Sequence, residues 1–159
     1  MATKTSAGLL MFRKSGSGLE VLLAHPGGPF FARKDEGVWT IPKGVVEPGE
    51  KDFLQRARIE FQEELGVAPV GKAVPLGSVR QKGGKVVHAW AMEGNLPSDF
   101  ALKSNTFDLE WPPRSGKLQA FPEVDRAQFF SMDAARRKIN PAQAEFLDRL
   151  MALVQNGKS

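Results

Sequence analysis

The sequence predicts an α/β sandwich. Strand-like segments lie on both sides of one central helix. That helix, between Asp52 and Gly66, carries signals at both ends, and the chain closes on an amphipathic helix after Asn140-Pro141. A chain of 159 residues suffices for one domain with a substantial core, expected to span 1–159.

In chain order, residues 6–13 are apolar and β-prone. The Ser15-Gly16-Ser17-Gly18 turn follows and then residues 19–25, which reads as a hairpin. Residues 25–37 are rich in Gly and Pro and are expected to form a loop. Residues 38–41 are expected to form a short strand ended by Pro42. The central helix starts at Asp52, which forms a capping-box pattern with Gln55, and stops at Gly66. Leu54, Ala57, Phe61 and Leu65 repeat at helical spacing and form its core face. Strands are expected over 72–80 and 86–92, joined by the Gln81–Lys85 turn. An irregular stretch fills 93–125, and ordered loops of such length are usually functional. A strand over 127–131, a short helix over 132–138 and the closing helix complete the chain. Ala144, Phe146, Leu147, Leu150, Met151 and Val154 are expected to be the buried side of that last helix.

The central helix carries Glu60, Glu63 and Glu64. Residues three and four apart share a helix face, so these carboxylates project in one sector. At about 100° per residue that sector lies beside the apolar stripe. Taken alone, the spacing fits a solvated acidic face as readily as a site. Carboxylates gathered so closely repel unless a cation sits among them, and hard oxygen ligands favour Mg²⁺ or Mn²⁺.

The whole stretch, Gly44-Val-Val-Glu-Pro-Gly-Glu50 running into Glu60-Phe-Gln-Glu63-Glu64-Leu-Gly66-Val67, resembles the signature of the Nudix hydrolases: Gly, five residues, Glu, seven residues, Arg-Glu-apolar-x-Glu-Glu-x-Gly-apolar. Two features depart from it. Nine residues separate Glu50 from Glu60 where the family has eight, as though Lys51 were inserted ahead of the cap, and Ile59 stands where the family has its arginine. The resemblance implies a mixed β-sheet between helices and divalent metal held by Glu60, Glu63 and Glu64, with the backbone carbonyl of Lys43 as a further ligand position. It also implies attack of water on a pyrophosphate, one of these glutamates orienting the water. Glu60 and Glu63 are accordingly catalytic candidates. Family members often add a carboxylate from a later loop. Glu123 is the first choice here and Glu110 the second, each weighed against a loop surface charge. The family's arginine holds a neighbouring glutamate in place. On a helical wheel Arg56 falls between Glu60 and Glu63 and is the nearest cation to take over, whereas Arg58 points toward the apolar edge.

Trp39-Thr-Ile-Pro-Lys43-Gly44 resembles the entry to this motif in Nudix enzymes that cleave dinucleoside polyphosphates and inositol pyrophosphates. Lys43 and Trp39, with Arg33 and Lys34 from the preceding loop, are the candidate substrate contacts; exposed cations and ordinary packing are the plain alternatives. Of the two histidines, His88 lies in an apolar strand and reads as a core or wall residue.

Net charge is 22 − 18 = +4, which suits small anionic molecules. No long basic run points to extended nucleic acid. Cysteine is absent, which excludes disulfides and thiolate chemistry. The first eight residues lack the apolar core of a signal peptide, no segment is long enough to span a membrane, and a cytoplasmic location is expected. The expected function is divalent-metal-dependent hydrolysis of a pyrophosphate linkage in a nucleoside diphosphate linked to another group, with dinucleoside polyphosphates foremost and a small-molecule nucleotide as partner. The alternative, favoured by Ile59, is a weakly active or non-catalytic nucleotide-sensing module.

Overall fold

The computed structural model describes residues 4–16 and 18–156. Met1–Thr3, in the stretch read as lacking a signal peptide, and Ser17, in the first turn, lie outside the described residues. β1 (Thr5–Ser15) and β2 (Gly18–Pro26) form the expected antiparallel hairpin, with Phe12 opposite Val21. β1 is the centre of the sheet. Along one edge it pairs in parallel with β5 (Val86–Glu93). Along the other it pairs with β2 through its second half and with β3 (Lys43–Val45) through Ser6–Gly8. β4 (Ala73–Arg80) lies outside β5, and β8 (Val124–Ser131) lies outside β2, both antiparallel. The order β4-β5-β1-β2-β8 with β3 beside β1 makes the sheet mixed.

Side chains alternate across a strand, so the apolar run of β1 serves two cores. Leu10 and Phe12 join Val21, Leu23 and the buried side of α3 (Ala144–Gln155), namely Phe146, Leu147 and Leu150. Ala7, Leu9 and Met11 join Leu22 and the face of α1 (Phe53–Leu65) formed by Ala57, Phe61 and Leu65. A strand buried on both faces reads as a continuous apolar run. Full burial of a residue such as Phe61 is worth about 1.5–3 kcal/mol. Met151 and Val154 of α3 are only partly buried. α2 (Met132–Lys138) precedes α3 and packs on β2 and β8. Among the described residues no helix is long and apolar enough to cross a membrane.

Two expectations are corrected. Residues 38–41 do not form a strand. Thr40 exchanges backbone bonds with Ala24 of β2, while Trp39 N–H donates to Lys138 and the Trp39 carbonyl accepts from Asn140. Successive residues therefore bond to different neighbours, and no ladder can extend. The stretch 93–125 is not wholly irregular. It contains β6 (Thr106–Glu110) and β7 (Leu118–Pro122), an antiparallel pair separate from the main sheet, with Leu109 opposite Gln119. The alternation of Phe107 and Leu109 with Thr106, Asp108 and Glu110 is short, and the proline-rich turn obscures its return partner. β8 also begins earlier than expected, at Val124.

Candidate active site

α1 is fixed at both ends by local chemistry. The Asp52 carboxylate accepts from Gln55 N–H at 3.0 Å, and Gly66 adopts the left-handed conformation with its N–H on the Gln62 carbonyl at 2.8 Å. Ala57, Phe61 and Leu65 then face the sheet. Glu64 does not remain beside this stripe as the helical wheel suggests: it is 8 % exposed and belongs to the buried side. Burial pushes its carboxyl up to about 8, the charges of Glu60 and Glu123 add to the rise, and Lys43 opposes it. Glu60 is also raised, chiefly by burial and further by Glu63 and Glu123, against the hydrogen bond from Arg56. Lys43 is partly buried, and desolvation lowers its pKa.

Glu123 is brought to this group from far along the chain. The Glu63 carbonyl, near the end of α1, accepts from Asn105 N–H at 2.9 Å, and the Asn105 carbonyl accepts from Glu123 N–H at 2.8 Å. Gly27 N–H in turn donates to the Glu123 carbonyl at 3.0 Å. A helix end leaves its last carbonyls unsatisfied; here they dock a strip of chain that positions Glu123. Burial and the Glu63 charge raise the Glu123 carboxyl. Nothing in the sequence marked Asn105 for this task beyond its place in a long loop. The alternative candidate, Glu110, accepts from Gly116 N–H at 3.0 Å and closes its own hairpin turn.

Glu64 and Glu123 line one cavity of about 450 Å³ together with Lys43, Phe31, Thr40 and Asn140. The other substrate candidates fare differently. Trp39 is 1 % exposed. Its Nε1 donates to Asp35, and its ring packs edge-on to His25 and Phe130 at 5.2 and 4.8 Å. It is a core residue, corrected from a substrate contact, although its neighbours Val38 and Thr40 do line the cavity. Arg33 and Lys34 are exposed and outside the cavity lining. The Lys34 carbonyl is tied to the ring of buried His25, whose other nitrogen meets Asp125, each at 2.7 Å. His88 packs against Phe53 as a wall residue.

Arg56 joins the loop to the helix. Its Nε donates to both Glu50 carboxylate oxygens at 3.0 and 3.1 Å, and its Nη1 donates to Glu60 at 3.2 Å. The partner beyond Glu60 is thus Glu50, ahead of the helix cap, rather than Glu63. Arg58 instead makes one long contact, 3.4 Å, to the Gly71 carbonyl. Outer partners that orient ligands typically cost 10–100-fold in activity when removed. Arg56→Ala is therefore expected to lower kcat/KM by at least about tenfold, and Arg58→Ala to leave it unchanged. Equal rates for the two variants would separate Arg56 from the function of this site.

The donor set suits a hard divalent cation. Glu60, Glu63, Glu64 and Glu123 offer carboxylate oxygens and mutual repulsion, with Lys43 and Arg56 as the nearby positive charges. Among the described residues no three such groups are already drawn to ligand spacing.

A family model described as the NUDIX domain matches residues 2–150. Among solved structures, a Caenorhabditis elegans Ap4A hydrolase in a binary complex is 24% identical, with 95% of this chain and 98% of that one covered and a TM-score of 0.67. The NUDIX domain of Shewanella oneidensis NrtR, complexed with ADP ribose, is 15% identical, with coverages of 97% and 90% and a TM-score of 0.67. A NUDIX hydrolase structure from Listeria monocytogenes is 16% identical, with coverages of 97% and 96% and a TM-score of 0.65. No curated protein sequence matches. With this fold, these glutamates and a family match over nearly its whole length, the chain belongs to the NUDIX domain family, that of the Nudix hydrolases.

Proposed function

We propose that this Nudix hydrolase requires Mg²⁺ or Mn²⁺ and splits a pyrophosphate linkage in a nucleoside diphosphate bonded to another group, with dinucleoside polyphosphates as its leading substrates. The observation that carries this reading is that Glu64 and Glu123 line one cavity with Lys43, while the charge of Glu60 acts on Glu64 and that of Glu63 on Glu123. Glu60, Glu63, Glu64 and the Lys43 carbonyl would hold the ion, which supplies Lewis acidity toward the phosphate oxygens. The Lys43 ammonium faces the same anionic chain as a point charge. Glu123 accepts a proton from the attacking water as the water oxygen bonds to phosphorus and the bridging P–O bond breaks. Partial burial, the leading cause of its raised pKa, favours the protonated form of this carboxyl. The resemblance to the C. elegans Ap4A hydrolase supports the substrate class.

Two measurements test this. Product release is followed with Mg²⁺, Mn²⁺ or EDTA across dinucleoside tetra- and pentaphosphates, a nucleotide sugar, ADP-ribose and an oxidised nucleoside triphosphate. Turnover is expected only with metal and fastest, by kcat/KM, for the dinucleoside polyphosphates. A nucleotide sugar or oxidised triphosphate preferred by about tenfold, or 1.4 kcal/mol, would overturn the substrate class. Binding without turnover of any compound would favour the sensing module, the reading that Ile59 supports. Second, Glu123→Gln is expected to lower kcat by roughly 10²–10⁴-fold, the range for a general base, with Glu110→Gln near normal. Near-normal rates for both would remove the loop carboxylates from the chemistry.

A further inference from the structure

Among the described residues two titratable side chains are buried, Glu64 and His25. The chemistry proposed above uses Glu64 and leaves His25 without a task. The His25 ring lies edge-on to Trp39 at 5.2 Å, and both of its nitrogens are bonded at 2.7 Å, Nδ1 to the Asp125 carboxylate and Nε2 to the Lys34 carbonyl. An ionised carboxylate and a carbonyl only accept. Both bonds therefore form together only when each ring nitrogen carries a proton. A buried charge persists where it is paired and hydrogen-bonded, and Asp125 supplies the pair. Packing against Trp39 alone would be met by a phenylalanine.

The two bonds lead to different walls of the catalytic cavity. Along β2 and β8, His25 lies opposite Arg126 and then Pro26 lies opposite Val124, so Asp125 is an extra residue in a bulge. Bulges re-aim side chains, and this one brings the Asp125 carboxylate to the His25 ring, two residues beyond Glu123. On the other side Lys34 ends two successive turns. Its N–H donates to the Phe31 carbonyl at 3.0 Å, and the Phe31 N–H donates to the Gly28 carbonyl at 3.3 Å. Phe31 lines the cavity with Pro26, Gly37 and Val38 of the same loop. The start of this loop is bonded to Glu123 directly, through Gly27 N–H. Its far end reaches the Glu123–Asp125 segment through His25.

We propose that His25 is a positioning residue for hydrolysis, a doubly bonded clasp between the Glu123–Asp125 segment and the loop over 26–37 that aims Glu123 at the attacking water and holds Phe31 against the substrate. The proposal rests on the reading of Glu123 as the acceptor of that water's proton. The two arms of the clasp serve different steps. The bond to Asp125 acts on the chemical step through Glu123, and the bond to Lys34 acts on substrate binding through Phe31.

Amide substitutions separate the arms, because the side-chain nitrogen of Asn falls near Nδ1 of a histidine and that of Gln near Nε2. With Mg²⁺ and a dinucleoside tetraphosphate, His25→Gln keeps the bond to Lys34 and is expected to lower kcat by about 10–100-fold, the range for partners that orient functional groups, at nearly constant KM. His25→Asn keeps the bond to Asp125 and is expected to raise KM by about tenfold with a smaller change in kcat. Asp125→Ala, at a partly exposed side chain, is expected to reproduce the kcat loss of His25→Gln and to add little to it. Neither His25→Gln nor Asp125→Ala should add to Glu123→Gln, the non-additivity of groups that act through one another. The chain has two histidines, so the His25→Gln variant assigns the His25 ring in nitrogen NMR, where both nitrogens are expected to carry protons. Losses of kcat and KM together in both amide variants, in step with a lower Tm, overturn the proposal, as do additive losses with Glu123→Gln or a ring nitrogen without a proton. If neither amide variant folds, the cycle of Asp125→Ala with Glu123→Gln decides by the same additivity. Near-normal turnover of Glu123→Gln alone overturns the reading of Glu123, and the ring nitrogens with the KM of His25→Asn then decide the clasp.

Discussion

Glu63→Gln is expected to lower kcat/KM by at least about a hundredfold, the scale for losing a major electrostatic contributor, without loss of fold stability. Gln matches Glu in size and helix propensity, and the backbone bond from Asn105 to the Glu63 carbonyl is untouched. What changes is one negative charge. That charge contributes to raising both Glu60 and Glu123, so removing it relieves repulsion in the metal-free protein. The expected signature is a metal-free Tm that is unchanged or higher, weaker Mn²⁺ binding, and turnover that nearly vanishes. A merely structural residue would show the reverse, a lower Tm with activity falling in proportion. Near-normal turnover at saturating Mg²⁺ would mean that the helical glutamates are not the metal site.

The features legible in the sequence are those written in neighbouring residues. The limits of α1 follow from Asp52 with Gln55 and from Gly66, because capping is decided within one turn. The first hairpin follows from a turn between two apolar runs. The helical wheel selects Arg56 over Arg58 because side-chain direction on a helix is set by residue spacing. At the site, what the sequence did not show depends on remote partners. Trp39 sits beside the motif in sequence, yet its ring turns into the core against His25 and Phe130. Burial of Glu64 depends on what covers the helix, not on the helix. Glu50 becomes the partner of Arg56 only because the glycine turn folds back over α1, and a wheel that begins at the cap cannot contain it. The placement of Glu123 travels through Asn105, and no spacing rule connects Glu63 to a residue so far along the chain.

Gly44→Ala is expected to reduce kcat/KM by roughly a hundredfold, the cost of about 1 Å of misplacement at a reacting centre, through a residue that need not itself take part in the chemistry. The backbone of Gly44 does not lie at positive φ, so alanine meets no conformational penalty there. The obstacle is space. A Cβ on Gly44 would lie 2.0 Å from both Cδ and Oε1 of Glu60 and 2.6 Å from its Cγ. No contact so short survives, so the Glu60 carboxyl must swing away. The movement also breaks the bond from Arg56 at 3.2 Å, leaving that arginine to Glu50 alone. β3 is a short strand, half-buried at Lys43 and Gly44 and paired only through Ser6–Gly8, and the helix is held by its opposite face, so Tm is expected to fall by no more than roughly 2–4 °C, equivalent to 1 kcal/mol in a domain of this size. The effect must act through Glu60. Gly44→Ala added to Glu60→Gln should therefore cost little beyond Glu60→Gln alone, the non-additivity expected of groups in contact. Fully additive losses would show that Gly44 serves the site by some route other than making room for this carboxylate.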